Sequence, residues 1–366
     1  MRKKTFFVLS VLVIGILSCS GCLESIGEFF PTVYESQPTD VDYVFRYGYR
    51  VEASGSGIYE LNYRSDLPDA IAGFGSSSFE LLNEDNVSFV ESAGEQAAEW
   101  FIESSESGVF LLGVRANVSK KALAVNTVDG DAAFSIEQIK STYPALVAQY
   151  TGVQQNDSIR YVDPDNPQIS SVALQAVSEA ESTNAFVVAK DLFVWLKQNT
   201  QYVTHNGDTS VQACNVTFFS KTGDCDDLSF LYMSLCRSVE IPARLVRGYL
   251  FEIDDSGSAS AVAHAWVEIF VGGGLGRGGW IPVECACSGS DLTVQLHQCF
   301  GVEDAMHIRL FAGDGSNEVL AVMFQGVSYR YVSQRTIDIE SFFVIEDVSI
   351  VNEEKLTIKG SSRSYE

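Results

Sequence analysis

Basic residues are scarce in this chain: 24 Lys and Arg stand against 48 Asp and Glu, for a formal net charge of −24. Such acidity keeps a protein soluble and repels polyanions, which argues against nucleic acid or an anionic lipid face as a partner. Long apolar runs are missing after the first twenty residues, so nothing beyond the N-terminus reads as a membrane-spanning helix. No internal repeat, no low-complexity tract and no acidic loop with calcium-ligand spacing is present. Histidine is limited to four positions, His205, His264, His297 and His307, so few imidazoles compete for any acid–base role.

What the N-terminus does have is an export signal. Three basic residues, Arg2, Lys3 and Lys4, precede an apolar run from Thr5 to Leu17 and then Ser18-Cys19-Ser20-Gly21-Cys22. That run is too short to span comfortably but suits a signal-peptide core. Small residues ahead of Cys22 resemble a lipoprotein processing site, with Cys19 where leucine is usual. Residues 1–22 therefore read as a signal of the lipoprotein type. The mature protein would lie on the extracellular face of the cytoplasmic membrane, attached by lipid at Cys22 or by the signal anchor. Removing the three basic residues takes the net charge from −24 to −27.

Residues 23–40 read as a linker and 41–158 as a β-rich accessory domain. Short β-type runs such as Tyr43–Glu52, Gly57–Tyr63 and Gly108–Val118 alternate with Gly/Ser turns, the pattern of a β-sandwich. Trp100 and Phe101 are expected in its core. From Ile169 to Glu181, and again after a capping Asn184, helical periodicity takes over, and 159–366 is read as the catalytic domain.

Its chemistry is concentrated between Lys221 and Glu284. Gly223-Asp224-Cys225-Asp226-Asp227 leads into a helix through Arg237, with Thr222 or Asp224 as its cap. Cys225 would sit at the positive end of the helix dipole, where a thiol pKa is lowered. Three strands follow: Ala243–Leu250, then Ala263–Phe270 carrying His264, then Trp280–Glu284 ending in an acid. Thiol, imidazole and carboxylate in this order form a nucleophile–base–orienter set.

Four blocks occur here in one order: Gly223–Asp227, Ile241-Pro242-Ala243-Arg244-Leu245-Val246-Arg247-Gly248-Tyr249, His264-Ala265-Trp266-Val267-Glu268, and Trp280-Ile281-Pro282-Val283-Glu284. Together they resemble the transglutaminase-like superfamily, in particular its microbial and archaeal surface members. The resemblance covers the second half of the chain. It implies an α+β, papain-like core with the cysteine helix packed on an antiparallel sheet. It also implies Cys225 as nucleophile, His264 as general base and Glu284 as the third member, where aspartate is usual, and no cofactor or metal.

Each of these residues also has a plainer reading. Cys225 could be a core cysteine, but Cys236, three turns down the same helix, fits that description better. Glu268 is the fallback acid, on the histidine's own strand. Gln212 or Asn215 could offer a second oxyanion donor. Cys285, Cys287, His297 and Cys299 could hold zinc, whereas an exported protein more often uses a disulfide, with Cys299 or Cys214 as partner of the Cys285/Cys287 pair. The function expected is an exported, membrane-anchored thiol enzyme acting on amide bonds of envelope proteins or peptides, by hydrolysis or transfer. The alternative is a catalytically silent binding or scaffold protein.

Overall fold

The structure, a computed structural model, describes residues 31–67, 75–92, 95–126, 130–204, 211–254, 258–318, 320, 328–331 and 334–366. The expected signal segment, the expected lipidation site at Cys22 and His205 lie outside them.

Alternating patterns build the first part of the fold. Strands β1 (Thr32–Gly55), β2 (Tyr59–Asp66), β3 (Gly75–Leu81), β4 (Val87–Ser92), β5 (Glu95–Ser104), β6 (Gly108–Lys121) and the short β7 (Leu123–Ala124) come first. Along β2, Tyr59, Leu61 and Tyr63 are buried while the residues between them face outward, the period of two that a half-buried strand requires. The same alternation places Trp100 of β5 in the core, its indole N–H bonded to the Asn83 carbonyl at 2.7 Å. Its neighbour Phe101, expected inside, points outward and is half exposed.

Helices follow: α1 (Ile136–Thr142) and α2 (Pro144–Tyr150), strands β8 (Gln154–Asn156) and β9 (Ile159–Val162), then α3 (Pro167–Ala180) and α4 (Ala185–Asn199). Asn166 and Asn184 cap α3 and α4, each side-chain oxygen accepting two backbone N–H groups. After β10 (Gln201–Tyr202) come α5 (Cys214–Ser220), β11 (Thr222–Gly223) and the helix α6 (Cys225–Ser238). Every α6 residue from Asp227 to Arg237 is buried, because other helices cover one side of α6 and a sheet the other. That sheet is antiparallel and four-stranded. Its members are β12 (Ala243–Ile253), β13 (Ala259–Phe270), β14 (Trp280–Val283) and β16 (His307–Ala312), in the order β14-β13-β12-β16. Helix α7 (Leu292–Cys299) and β15 (Val302–Glu303) connect β14 to β16.

The chain then returns to its beginning. Strands β17 (Ser328–Tyr331), β18 (Arg335–Lys359) and β19 (Ser362–Tyr365) join the first part. β18 pairs antiparallel with β1 from Thr32↔Ile358 to Gly55↔Arg335. Two sheets result, a five-stranded β19-β18-β1-β6-β3 and a four-stranded β17-β2-β5-β4. Tyr43, Phe45 and Leu112 from one meet Leu61, Tyr63 and Trp100 from the other in a common core. That core continues into the α6 sheet through Phe251 and Ile308. The β-rich part therefore abuts the sheet that carries the site.

One covalent tie falls close to the site. Cys287 and Cys299 form a disulfide across a separation of 12 residues. Closing a loop of that size stabilises the fold by about 3 kcal/mol in the chain-entropy account. Cys299→Ser should therefore lower the melting transition measurably, and a melt unchanged by the substitution would deny the bond a stabilising role.

Candidate active site

Local chemistry explains the Gly223–Asp227 turn. Asp224 is the N-cap of α6, and its side chain with Asp227 forms a reciprocal capping box. Asp227 is fully buried and also accepts from the backbone N–H of Gln212 at 2.6 Å and its side-chain amide at 2.7 Å. A Cβ on Gly223 would come within 2.6 Å of the Asp227 Cβ, so glycine is needed for the turn to close. The product is Cys225 at the first turn of α6, half-buried beside a cleft.

The cleft, about 450 Å³, is walled by both parts of the fold. Cys225, Asp226, Arg247, Tyr249, His264 and Ala265 line one side; Tyr47, Tyr49, Tyr63 and Asp66 of β1 and β2, with Phe342 of β18, line the other. Arg247 and Asp66 bridge the walls at 2.6 Å. His264 lies on β13 opposite Gly248 of β12, and the backbone of the next residue, Ala265, hydrogen-bonds the Cys225 sulfur. Glu284 follows β14, its backbone N–H bonded to the Cys299 carbonyl at 2.9 Å. Its Oε2 accepts from His264 Nε2 at 2.7 Å and its Oε1 from the Ala286 N–H at 2.7 Å. Burial pushes the Glu284 carboxyl up, but the charge and hydrogen bond of His264, joined by those of His307, outweigh it and hold Glu284 well below the usual carboxylate range.

The thiol departs from expectation. Burial, then the negative charge of Asp226, pushes Cys225 up to about 12, and only the Ala265 bond pulls it down. Asp226 is itself pushed up to about 8, by burial first and then by its hydrogen bond and repulsion with Asp224. Desolvation and the neighbouring carboxylates thus work against the lowering expected of a thiol at a helix N-terminus. Alkylation of Cys225 by iodoacetamide should accordingly accelerate about tenfold per pH unit between pH 7 and 9, following the thiolate fraction. A rate flat over that range would instead reveal a preformed thiolate.

The other sequence candidates fall into place around this centre. Cys236 is fully buried in α6, its thiol raised to about 12 by burial. Gln212 is engaged with Asp227, and Asn215 is exposed on α5, so neither side chain lies in the cleft wall. His297 bonds Tyr34 at 2.9 Å, while Cys287 and Cys299 are joined to each other. That overturns the zinc alternative in favour of the disulfide, with Cys285 a buried free thiol. Glu268 is fully buried between Arg244 at 2.8 Å and Arg309 at 2.7 Å. Burial opposes its ionisation, yet Arg309 and Arg244 bring it down to about 2. Glu303 anchors the same buried network, meeting Arg277 at 2.6 Å, Arg309 at 3.0 Å and Lys120 of β6. Glu268 is thus a structural ion, not an orienting acid.

Sequence reading missed the partnership of His307, which it treated only as a competitor to His264. His307 Nε2 meets the same Glu284 Oε2 at 3.1 Å, and its Nδ1 meets Asp304 Oδ1 at 2.7 Å. The Asp304/His307 spacing of three was the available signal. His264, Glu284 and His307 bring donor atoms within 4.8 Å of one another, as do Asp224, Cys225 and Asp226. A cation on the first trio would have to displace the Nε2 proton of His307 that faces Glu284, while Asp304 kept the Nδ1 proton. The structure thus brings the thiol and the imidazole to one cleft and bonds the imidazole to the carboxylate.

Comparisons with known proteins agree with this architecture. Residues 171–285 match the core model of the transglutaminase-like superfamily, and that stretch contains α6, His264 and Glu284. A candidate cysteine protease from Cytophaga hutchinsonii has a similar fold, with a TM-score of 0.51 at 13% identity over 92% of this chain and 100% of that one. An uncharacterized protein of Mycobacterium leprae is 28% identical over 114 residues, 30% of this chain. The match spans only 39% of that relative's length.

Proposed function

From a transglutaminase-like core at 171–285, we propose that this protein is a thiol enzyme acting on amide bonds of proteins or peptides. The observation that carries the reading is the 2.7 Å bond between His264 Nε2 and Glu284 Oε2, beside the cleft that Cys225 lines. With Nε2 engaged by the carboxylate, Nδ1 is the ring nitrogen available for the thiol proton. Cys225 sulfur attacks the carbonyl carbon as His264 Nδ1 takes that proton, and Glu284 stabilises the imidazolium. His264 returns the proton to the leaving amine as the C–N bond breaks, leaving a thioester on Cys225. Water or a second amine then accepts the acyl group, giving hydrolysis or transfer.

The β-rich part contributes the facing wall of the cleft, and its tyrosines and the Arg247–Asp66 bridge suit an extended peptide with planar groups to stack and amides to bond. Export, attachment through Cys22 and an envelope substrate complete the proposal; the basic and apolar N-terminal run supports them. Among the described residues no helix is long and apolar enough to cross a membrane. The test is incubation of envelope extract with wild type and with Cys225→Ala. Peptides released, or isopeptide links formed, by the wild type alone are expected, whereas identical products from both would refute the proposal.

A further inference from the structure

The cleft's mechanism leaves one buried imidazole unused. His307 begins β16, is almost fully buried, and contacts two carboxylates through its two ring nitrogens. Resting on the reading above, we propose that His307 is a positioning residue: with Asp304 behind it, it clamps Glu284 against His264 and offsets part of the charge that the carboxylate presents to that ring.

Geometry supports each part. Glu284 Oε2 lies between the two imidazoles, 2.7 Å from His264 and 3.1 Å from His307, while Oε1 is held by the Ala286 N–H. The carboxylate therefore cannot rotate away without losing three bonds. Glutamate carries one more torsion than the aspartate usual here, and such a clamp removes that freedom. The charges work in the same direction. A carboxylate bonded only to His264 would stabilise its imidazolium with its full charge. A second imidazolium on the same oxygen, its ring centroid 5.5 Å from that of His264, opposes this by like-charge repulsion.

Both carboxylates facing His307 favour its cationic form, and the His264 ring of β13 faces it as well at 5.5 Å. Asp304 lies on its own segment, Glu284 just past β14, and Trp266 of β13 edge-on at 5.1 Å. Lys120 of β6, Tyr43 of β1 and Tyr365 of β19 interact electrostatically with Asp304. Burial alone would lower the pKa of His307. Asp304 and then Glu284 overcome it and raise it to about 10. A histidine raised on folding stabilises the native state below its unfolded pKa, and that contribution is lost as pH climbs from about 6.5 towards 10.

Four histidines make the test direct. Protein carrying ¹³C-labelled histidine is titrated by NMR, with resonances assigned through single variants. In the wild type His307 should remain charged at least two pH units beyond an ordinary histidine. In His307→Gln, which keeps a hydrogen bond to Glu284 but not the charge, the His264 midpoint should rise by about one to two units. Asp304→Asn should bring the His307 midpoint down and, as in His307→Gln, move the His264 midpoint up. The acidic limb of acetyl transfer from p-nitrophenyl acetate should shift upward with His264, a change that loosened packing alone would not produce. A wild-type His307 that titrates near 6.5, or a folded His307→Gln with an unmoved His264, overturns the inference. Titrations that hold in a protein whose Cys225 never takes up an acetyl group overturn the reading of the site instead, not the clamp.

Discussion

Cys225→Ala should abolish amide cleavage and acyl transfer while leaving the melting transition within a few degrees of the wild type. Two features make the separation clean. Nucleophilic catalysis has no substitute once the sulfur is gone, so the loss should reach background. Meanwhile Cys225 is only half-buried at the first turn of α6, and the cap that holds the turn is made by Asp224 and Asp227, not by the thiol. Cys236→Ser should behave in the opposite way, because it places a hydroxyl in a fully buried site at a cost of about 1–3 kcal/mol. Activity per folded molecule should survive there. Loss of activity in Cys225→Ala through unfolding alone would remove the support for a chemical role.

The second large effect separates Glu284 from the fully buried Glu268. Glu284→Gln should lower turnover on the order of 10²- to 10⁴-fold, because an amide can no longer stabilise the His264 cation and can fix the wrong tautomer. Glu284→Asp draws the carboxylate back by about 1 Å, enough to cost on the order of 10²-fold where geometry is tight. Glu268→Gln should spare turnover per folded molecule. It leaves Arg244 and Arg309 facing an uncharged amide in a fully buried site, which destabilises the fold by about 3–5 kcal/mol. Turnover measured beside chemical denaturation distinguishes the two. The reverse pattern, with Glu268 needed for turnover and Glu284 dispensable, would move the acid onto the histidine's own strand.

Much of the site could be read from the chain because its determinants are local. A glycine that cannot carry a Cβ, a capping aspartate and a buried aspartate one helical turn on all fall within five residues, Gly223 to Asp227. The Asn166 and Asn184 caps were equally local, and α3 and α4 begin beside them. What escaped the sequence depends on distance. β1 and β18 lie some three hundred positions apart, and alternation in either strand does not name its partner. The far wall of the cleft, formed by Tyr47, Tyr63 and Phe342, follows from that pairing. His307 looked like a rival to His264 because spacing reveals a ligand type but not the shared carboxylate. Cys225 was misjudged for a related reason. Helix position suggested a lowered pKa, but the burial and carboxylates that overrule it come from the assembled site.

The central claim, that Cys225 is a nucleophile served by His264 and Glu284, is tested most directly by trapping the acyl-enzyme. Wild type, His264→Ala and Glu284→Gln are mixed with p-nitrophenyl acetate, quenched in acid, and mapped by peptide mass spectrometry. The account predicts a burst of p-nitrophenol in the wild type and an acetyl group on Cys225, strongly diminished in both variants. Folded wild type with no acetyl group on Cys225, or equal acetylation in all three proteins, would contradict it.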